Sequence, residues 1–187
     1  LVPSYAKIAH SPEELRTAFL RVISFVATVS FSASLGMAVI AEDFVLTVLG
    51  DQWVDGIPIF HWLAIYGAFL GVILGLQSYF QINRLERVLG LSYAGYVLLL
   101  LPSMVWVGYS GYPLEMIAQA RLAITVVFFV WLMACIVRYT PVSTGDLLSV
   151  LWRPMIAGGA MYAVVTLLHS DGLGYRALSM LQDVSVG

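Results

Sequence analysis

The residues with chemical potential in this sequence are one cation inside an apolar run and a stripe of polar side chains in another. Arg121 lies roughly 10 Å along the run that begins at Leu114. A guanidinium at the centre of a bilayer costs at least about 2.5–3.5 kcal/mol, so Arg121 needs a partner, water or a route to the headgroups. It either snorkels to the outer headgroups or stands in a central cavity where it meets an anionic substrate. Thr125, one turn deeper, shares its face. In an earlier run, Tyr66, Gln77, Gln81 and Arg84 fall on one helical face that grows more polar toward Arg84. The amides of Gln77 and Gln81 can tie helices together or line the same cavity as Arg121.

Other chemistries find no foothold. His10, His61 and His169 are scattered without metal-ligand spacing, and Cys135 stands alone, so neither a metal site nor a disulfide is expected. No phosphate-binding glycine loop and no Ser/His/Asp set is present, which argues against an enzyme and against a cofactor. A net charge of -2 without any Lys/Arg cluster excludes nucleic acid as a partner.

These residues must be positioned by helices in lipid. The 187 residues are 60% hydrophobic and 11% charged, with a mean hydropathy of +0.91. A soluble domain of this size could not bury that excess. Only helices satisfy their own backbone while crossing about 30 Å of hydrocarbon, which takes about 20 apolar residues. Five runs qualify, near 22–41, 57–80, 88–107, 114–137 and 151–168. Pro58, Pro113 and Pro154 mark first turns. Ser11 to Glu14 has the form of a capping box, so a helix is expected to start near Pro12 and carry Arg16 and Arg21 to the surface. The acid-rich, partly apolar stretch from Glu42 to Asp55 predicts a short interfacial helix ending at Gly50. The expected fold is an all-α transmembrane bundle forming a single domain.

Gly67, Gly71 and Gly75 share a stripe that admits another helix closely. Gly158 and Gly159 read the same way. Polar stripes at Arg21, Ser24, Thr28 and Ser32 and at Ser92, Tyr96 and Ser103 are expected to face the interior, with each hydroxyl either lining a cavity or bonded to its own helix. Pro102 is expected to bend the third span. Basic residues occupy alternate connections: Lys7, Arg16 and Arg21 before the first span, Arg84 and Arg87 after the second, Arg138 and Arg153 after the fourth. Lys and Arg are retained in the cytoplasm, which predicts that the first span runs from inside to outside.

The segment from Ala41 to Trp53 resembles the interfacial stretch after the first helix of the C-terminal lobe in polysaccharide flippases. Pro3 to Ala9, Gln81 to Arg87 and Glu115 to Arg121 are similar in style to other parts of that lobe. The sequence thus resembles the polysaccharide transporter (oligosaccharide flippase) family, in a superfamily that also holds multidrug antiporters. The resemblance implies one lobe of a two-lobed transporter, with the chain expected to be a fragment from the C-terminal half. It implies a bacterial inner-membrane protein that flips polyprenyl-pyrophosphate-linked oligosaccharide by alternating access, for capsule, exopolysaccharide or O-antigen. Implied partners are membrane lipids, the N-terminal lobe, and the polymerase and glycosyltransferases of the same assembly. Arg121, Gln77, Gln81, Arg84 and Thr125 are the candidate substrate-binding residues. A small-molecule antiporter of the superfamily and a non-transporting scaffold of polysaccharide synthesis stand as alternatives.

Overall fold

A computed structural model describes residues 12–170, an array of helices without strands among the described residues. The proposed Ser11 cap and His10 lie outside them. Five long helices carry the apolar runs: α1 (Pro12–Val39), α3 (Ile57–Ile82), α4 (Glu86–Tyr109), α5 (Leu114–Tyr139) and α6 (Thr144–Ser170). Each is long and apolar enough to cross a membrane. The chain is therefore a multi-pass membrane protein. A single turn, α2 (Ala41–Phe44), opens the connection between α1 and α3.

That connection follows the expected interfacial segment but is wound irregularly. After α2 comes a wider π turn, Val45–Leu49, closed by the Gly50 N–H on Val45 O at 3.0 Å. Gly50 then takes φ 89° and ψ 170°, a conformation open in practice to glycine alone, and a 3-10 turn Asp51–Gly56 leads into α3. Leu46, Val48, Leu49, Trp53 and Val54 stay exposed beside the acids, as suits a segment lying at a headgroup boundary.

One start differs from expectation. Pro154 does not open the last helix but sits inside it. The reason is a capping box that begins eleven residues earlier. Ser143 N–H donates to Asp146 Oδ2 at 2.8 Å, Asp146 N–H donates to Ser143 Oγ at 3.3 Å, and Ser143 O accepts the first helical bond from Leu147. Pro102 lies within α4, as its place in the third span requires, and the helix continues past it to Tyr109.

The helices are neighbours in the order α6, α1, α3, α5, α4. Glycines set the α1–α3 approach. A Cβ on Gly67 would stand 3.0 Å from Ser34 Oγ, one on Gly75 would stand 2.7 Å from Ile23 Cδ1, and one on Gly71 would overlap Ser30 Oγ. Gly158 seats α6 on α1 in the same manner, with Leu35 Cδ1 at 2.9 Å from such a Cβ. Gly159 faces open space, so only one residue of that pair is a packing glycine. At one end Arg16 Nε and Nη2 reach Asp146 Oδ2 at 3.1 and 2.5 Å, joining α1 to α6.

The polar stripe of α1 does not face the interior of this bundle. Arg21, Thr28 and Ser32 are exposed, and Thr28 Oγ1 donates to Ser24 O within its own helix. The buried stripe is Phe19, Ile23, Ala27 and Phe31, because these apolar residues repeat every four positions on the side where α3 and α6 pack. With Tyr79, Phe80, Leu132, Ile136, Leu147 and Leu151 they form the main core. Phe19 and Tyr79 stack there at 3.9 Å between ring centroids. Its largest side chains, among them Phe19, Tyr79, Phe80 and Ile136, stand toward the arginine-bearing ends, while Phe31, Ala68 and Phe128 carry the core on toward Arg121.

Gly71→Leu forces a side chain into Ser30 and is expected to destabilise the full-length protein by about 1–3 kcal/mol. Gly159→Ala, whose methyl meets nothing, is expected to be neutral or slightly stabilising. Thermal unfolding in detergent distinguishes them.

Candidate functional site

The α3–α5 interface brings Arg121 to Tyr66. The guanidinium carbon lies 4.7 Å from the centroid of the Tyr66 ring, and Nη2 donates to the phenol oxygen at 3.4 Å. Cation–π contact of this kind contributes about 0.5–2 kcal/mol, depending on desolvation. It leaves most of the five guanidinium donors unused. Arg121 Nε is buried with no hydrogen-bond partner, and among the described residues no carboxylate comes within ion-pair reach of this side chain.

The nearby acid is engaged elsewhere. Glu115 Oε1 accepts from Trp62 Nε1 at 2.8 Å and from Gln119 Nε2 at 2.9 Å. Trp62 and Tyr66 are one turn apart on α3, so that face of the helix holds the acid and the cation of α5 separately. The sequence puts Glu115 and Gln119 on a common face away from Arg121, and the geometry follows that spacing. The part played by Trp62 was hidden in the sequence, where it reads as an interfacial aromatic. At the same end of the bundle His61 links three helices: Nδ1 lies 2.9 Å from Ala38 O of α1, and Nε2 lies 3.2 Å from the Tyr162 phenol of α6.

Below Arg121 the polar residues form rungs between helices. Thr125, almost fully buried, shares a 3.2 Å hydrogen bond with the Tyr96 phenol of α4. Gln77 Nε2 donates to the Tyr93 phenol, this rung running from α3 to α4. Tyr93 and Tyr96 both pack on Phe128, with centroids at 4.9 and 4.7 Å. Tyr93 was missed in the sequence, although its spacing of three from Tyr96 places both on one side of α4.

Gln81 and Arg84 belong to a different place. Both are exposed, and Arg84 lies roughly 27 Å along the helical direction from Tyr66. Arg84 occupies the turn after α3 at φ 55°, where Leu85 N–H bonds Phe80 O and Arg84 N–H bonds Gln81 O. That is a Schellman cap with arginine in the left-handed position usually given to glycine. The five candidate residues therefore divide into an unpaired guanidinium, two polar groups engaged with tyrosines, and a pair at the distant arginine-bearing end.

Residues 1–58 match the family model described as polysaccharide biosynthesis protein. Over 72 residues the chain is 36% identical to the lipopolysaccharide biosynthesis protein WzxC of Escherichia coli K12, covering 38% of this chain and 15% of that protein. It is 30% identical over 148 residues to an uncharacterized membrane protein in the cps region of Klebsiella pneumoniae, covering 74% and 30% of the two chains. It is 27% identical over 139 residues to the teichuronic acid biosynthesis protein TuaB of Bacillus subtilis 168, covering 73% and 29%. The chain thus spans less than a third of the length of each of these relatives. No solved structure gives a significant match.

The tyrosine rungs predict modest and separable energies. Thr125→Val and Tyr96→Phe should each cost about 0.6 kcal/mol, the usual worth of an interhelical hydrogen bond in a membrane. A double-mutant cycle on thermal unfolding should recover that coupling for Thr125 with Tyr96 and none for Thr125 with Tyr93.

Proposed function

Because the chain belongs to the polysaccharide flippase family, we propose that it forms the C-terminal lobe of a two-lobed transporter of the bacterial inner membrane. The cargo is an oligosaccharide on a polyprenyl pyrophosphate, turned over by alternating access for polysaccharide assembly. The N-terminal lobe supplies the facing wall of the cavity. The arginine-bearing end is cytoplasmic, in keeping with the retention of Lys and Arg on that side.

The observation that carries this reading is the unmet demand of Arg121. A guanidinium inside an apolar helix, with a buried nitrogen lacking any partner, lacks the acceptor that its environment requires. Pyrophosphate provides that acceptor. Its oxygens accept parallel N–H bonds from a planar guanidinium, and they do so more strongly where water is scarce. The Tyr66 ring supports the cation from one side without neutralising it, leaving the charge for the cargo. Arg121 stands in the outer half of the span in this orientation, so it receives the pyrophosphate late in the crossing. Arg84 and Gln81, exposed at the cytoplasmic end, are placed to meet it first.

Flipping in this scheme makes and breaks no covalent bond, and the lobe offers binding and orientation. Helix α3 carries Tyr66 and Gln81 on one rod and ends in the cap that holds Arg84, while its glycine stripe holds it to α1. A rigid rod of this sort moves its polar residues together when the lobes rock.

Arg121→Gln in the full-length protein is expected to lower polysaccharide export at least about tenfold, the loss implied by removing a charge-assisted bond of about 1.5–3 kcal/mol. Arg121→Lys should retain part of the activity, since it keeps charge but not the fork. Export measured at equal membrane abundance decides. Unchanged export in Arg121→Gln would remove this residue from the cargo path.

A further inference from the structure

A concave feature lies away from the Arg121–Tyr66 pair. Between α4 and α5 runs a groove of about 790 Å³, whose walls include Leu91, Gly95, Leu98, Leu99, Val127 and Trp131. On α5 it extends from Ile124 to Tyr139, about 22 Å at 1.5 Å per residue. A Cβ added at Gly95 would meet nothing within 4 Å, so the missing side chain at that position deepens the groove. Leu91, Leu98 and Val127 are exposed by 75%, 72% and 63%, and the groove is open sideways between them.

The polar atoms in its body are already engaged. Ser92 Oγ donates to Val88 O at 2.8 Å and accepts from Trp131 Nε1 at 3.0 Å, while the Tyr96 phenol is held by Thr125. Little is left there for a sugar hydroxyl, and the surface that remains favours hydrocarbon. One end differs. Arg138 and Tyr139 line the groove at the last turn of α5, both exposed, and Arg138 has no carboxylate partner among the described residues. The negative end of the helix dipole adds to the reasons for a cation there but neutralises little of it.

We propose that this groove holds an anionic glycerophospholipid of the surrounding bilayer. One acyl chain lies along Leu91, Leu98 and Val127, and the phosphate sits on Arg138 with the Tyr139 phenol beside it. Charge complementarity selects the headgroup: a long apolar trough ending in a single unpaired guanidinium matches a chain that ends in a single phosphodiester. Basic pockets between membrane helices are a recurrent setting for anionic headgroups. The sideways opening admits a lipid from the bilayer plane, where phospholipid outnumbers any carrier lipid and wins by mass action. This site is separate from Arg121 and does not depend on what the transporter carries.

Native mass spectrometry of the full-length protein, released from nanodiscs of equal phosphatidylglycerol and phosphatidylethanolamine, tests it. Phosphatidylglycerol should be retained preferentially. Arg138→Gln should cut that preference roughly fivefold, the size expected for one arginine at an anionic surface. Arg153→Gln, at the same end but outside the groove, should leave it unchanged. Gly95→Leu, whose Cβ meets nothing within 4 Å and whose side chain extends into the trough, should reduce retention of both lipids at undiminished thermal stability. Equal retention of the two lipids, or an Arg138→Gln protein that keeps the preference, overturns the proposal. So does displacement of phosphatidylglycerol by an equimolar polyprenyl phosphate, which would reassign the groove to a carrier lipid. A Gly95→Cys protein whose thiol is sealed from a lipid-soluble maleimide by the rest of the transporter would also overturn it.

Discussion

Hydrocarbon supplies no hydrogen-bond partners, and every polar group within these five helices has to find one inside the protein or wait for something that brings it. The backbone meets the demand by winding into helices of 24 to 28 residues. Hydroxyls at Thr28, Ser92 and Ser103 meet it by bonding back to their own helices. Gln77 and Thr125 meet it across helix boundaries, through Tyr93 and Tyr96. Glu115 draws on Trp62 and Gln119. Arg121 does not fully meet it. Its Nε is the buried side-chain nitrogen among the described residues that ends without a partner, and the functional reading of the chain rests on that exception.

Packing explains why the exception is sustained at that depth. The large side chains Phe19, Tyr79, Phe80, Leu132 and Ile136 gather toward the arginine-bearing ends, and glycines draw α1 against α3 beside them. Toward the other ends the helices are also joined by polar and aromatic contacts: Thr125 with Tyr96, Arg121 with Tyr66, Glu115 with Trp62, His61 with Tyr162. Such contacts hold helices in register through a few directional bonds, where a close-packed interior would have excluded a guanidinium altogether.

Much of this was legible in the sequence because membrane helices leave few alternatives. Length and hydropathy located all five spans, and the spacing of Gly67, Gly71 and Gly75 marked the stripe that meets α1. Less legible were features decided by a neighbour. Pro154 looked like a start signal, yet the Ser143–Asp146 box fixed the start earlier, and a proline inside a membrane helix is tolerated. The hydroxyl stripe of α1 read as an inner face, but the heavier Phe19–Ile23–Ala27–Phe31 stripe took the contact with α3 and α6. Among the candidate site residues, Arg121 was conspicuous because its cost in lipid is large. That Arg84 stands in a helix cap far from it could not be read from a helical-face count, which carries angle but ignores depth. The α4–α5 groove was invisible for a related reason, since Leu91 and Val127 are ordinary lipid-facing residues until two helices frame them.

In the proposed function Arg121 keeps its charge available for a diphosphate that enters beside Tyr66. Leu70, one turn from Tyr66 on α3 and partly exposed, offers a reporter that leaves both residues intact. The most direct measurement is the alkylation rate of a Leu70→Cys thiol in the full-length protein carrying Cys135→Ser, with and without a short-chain prenyl diphosphate. The expected result is protection of the thiol by the diphosphate, lost when Arg121→Gln is added. An alkylation rate indifferent to the diphosphate, or protection that survives Arg121→Gln, would contradict it.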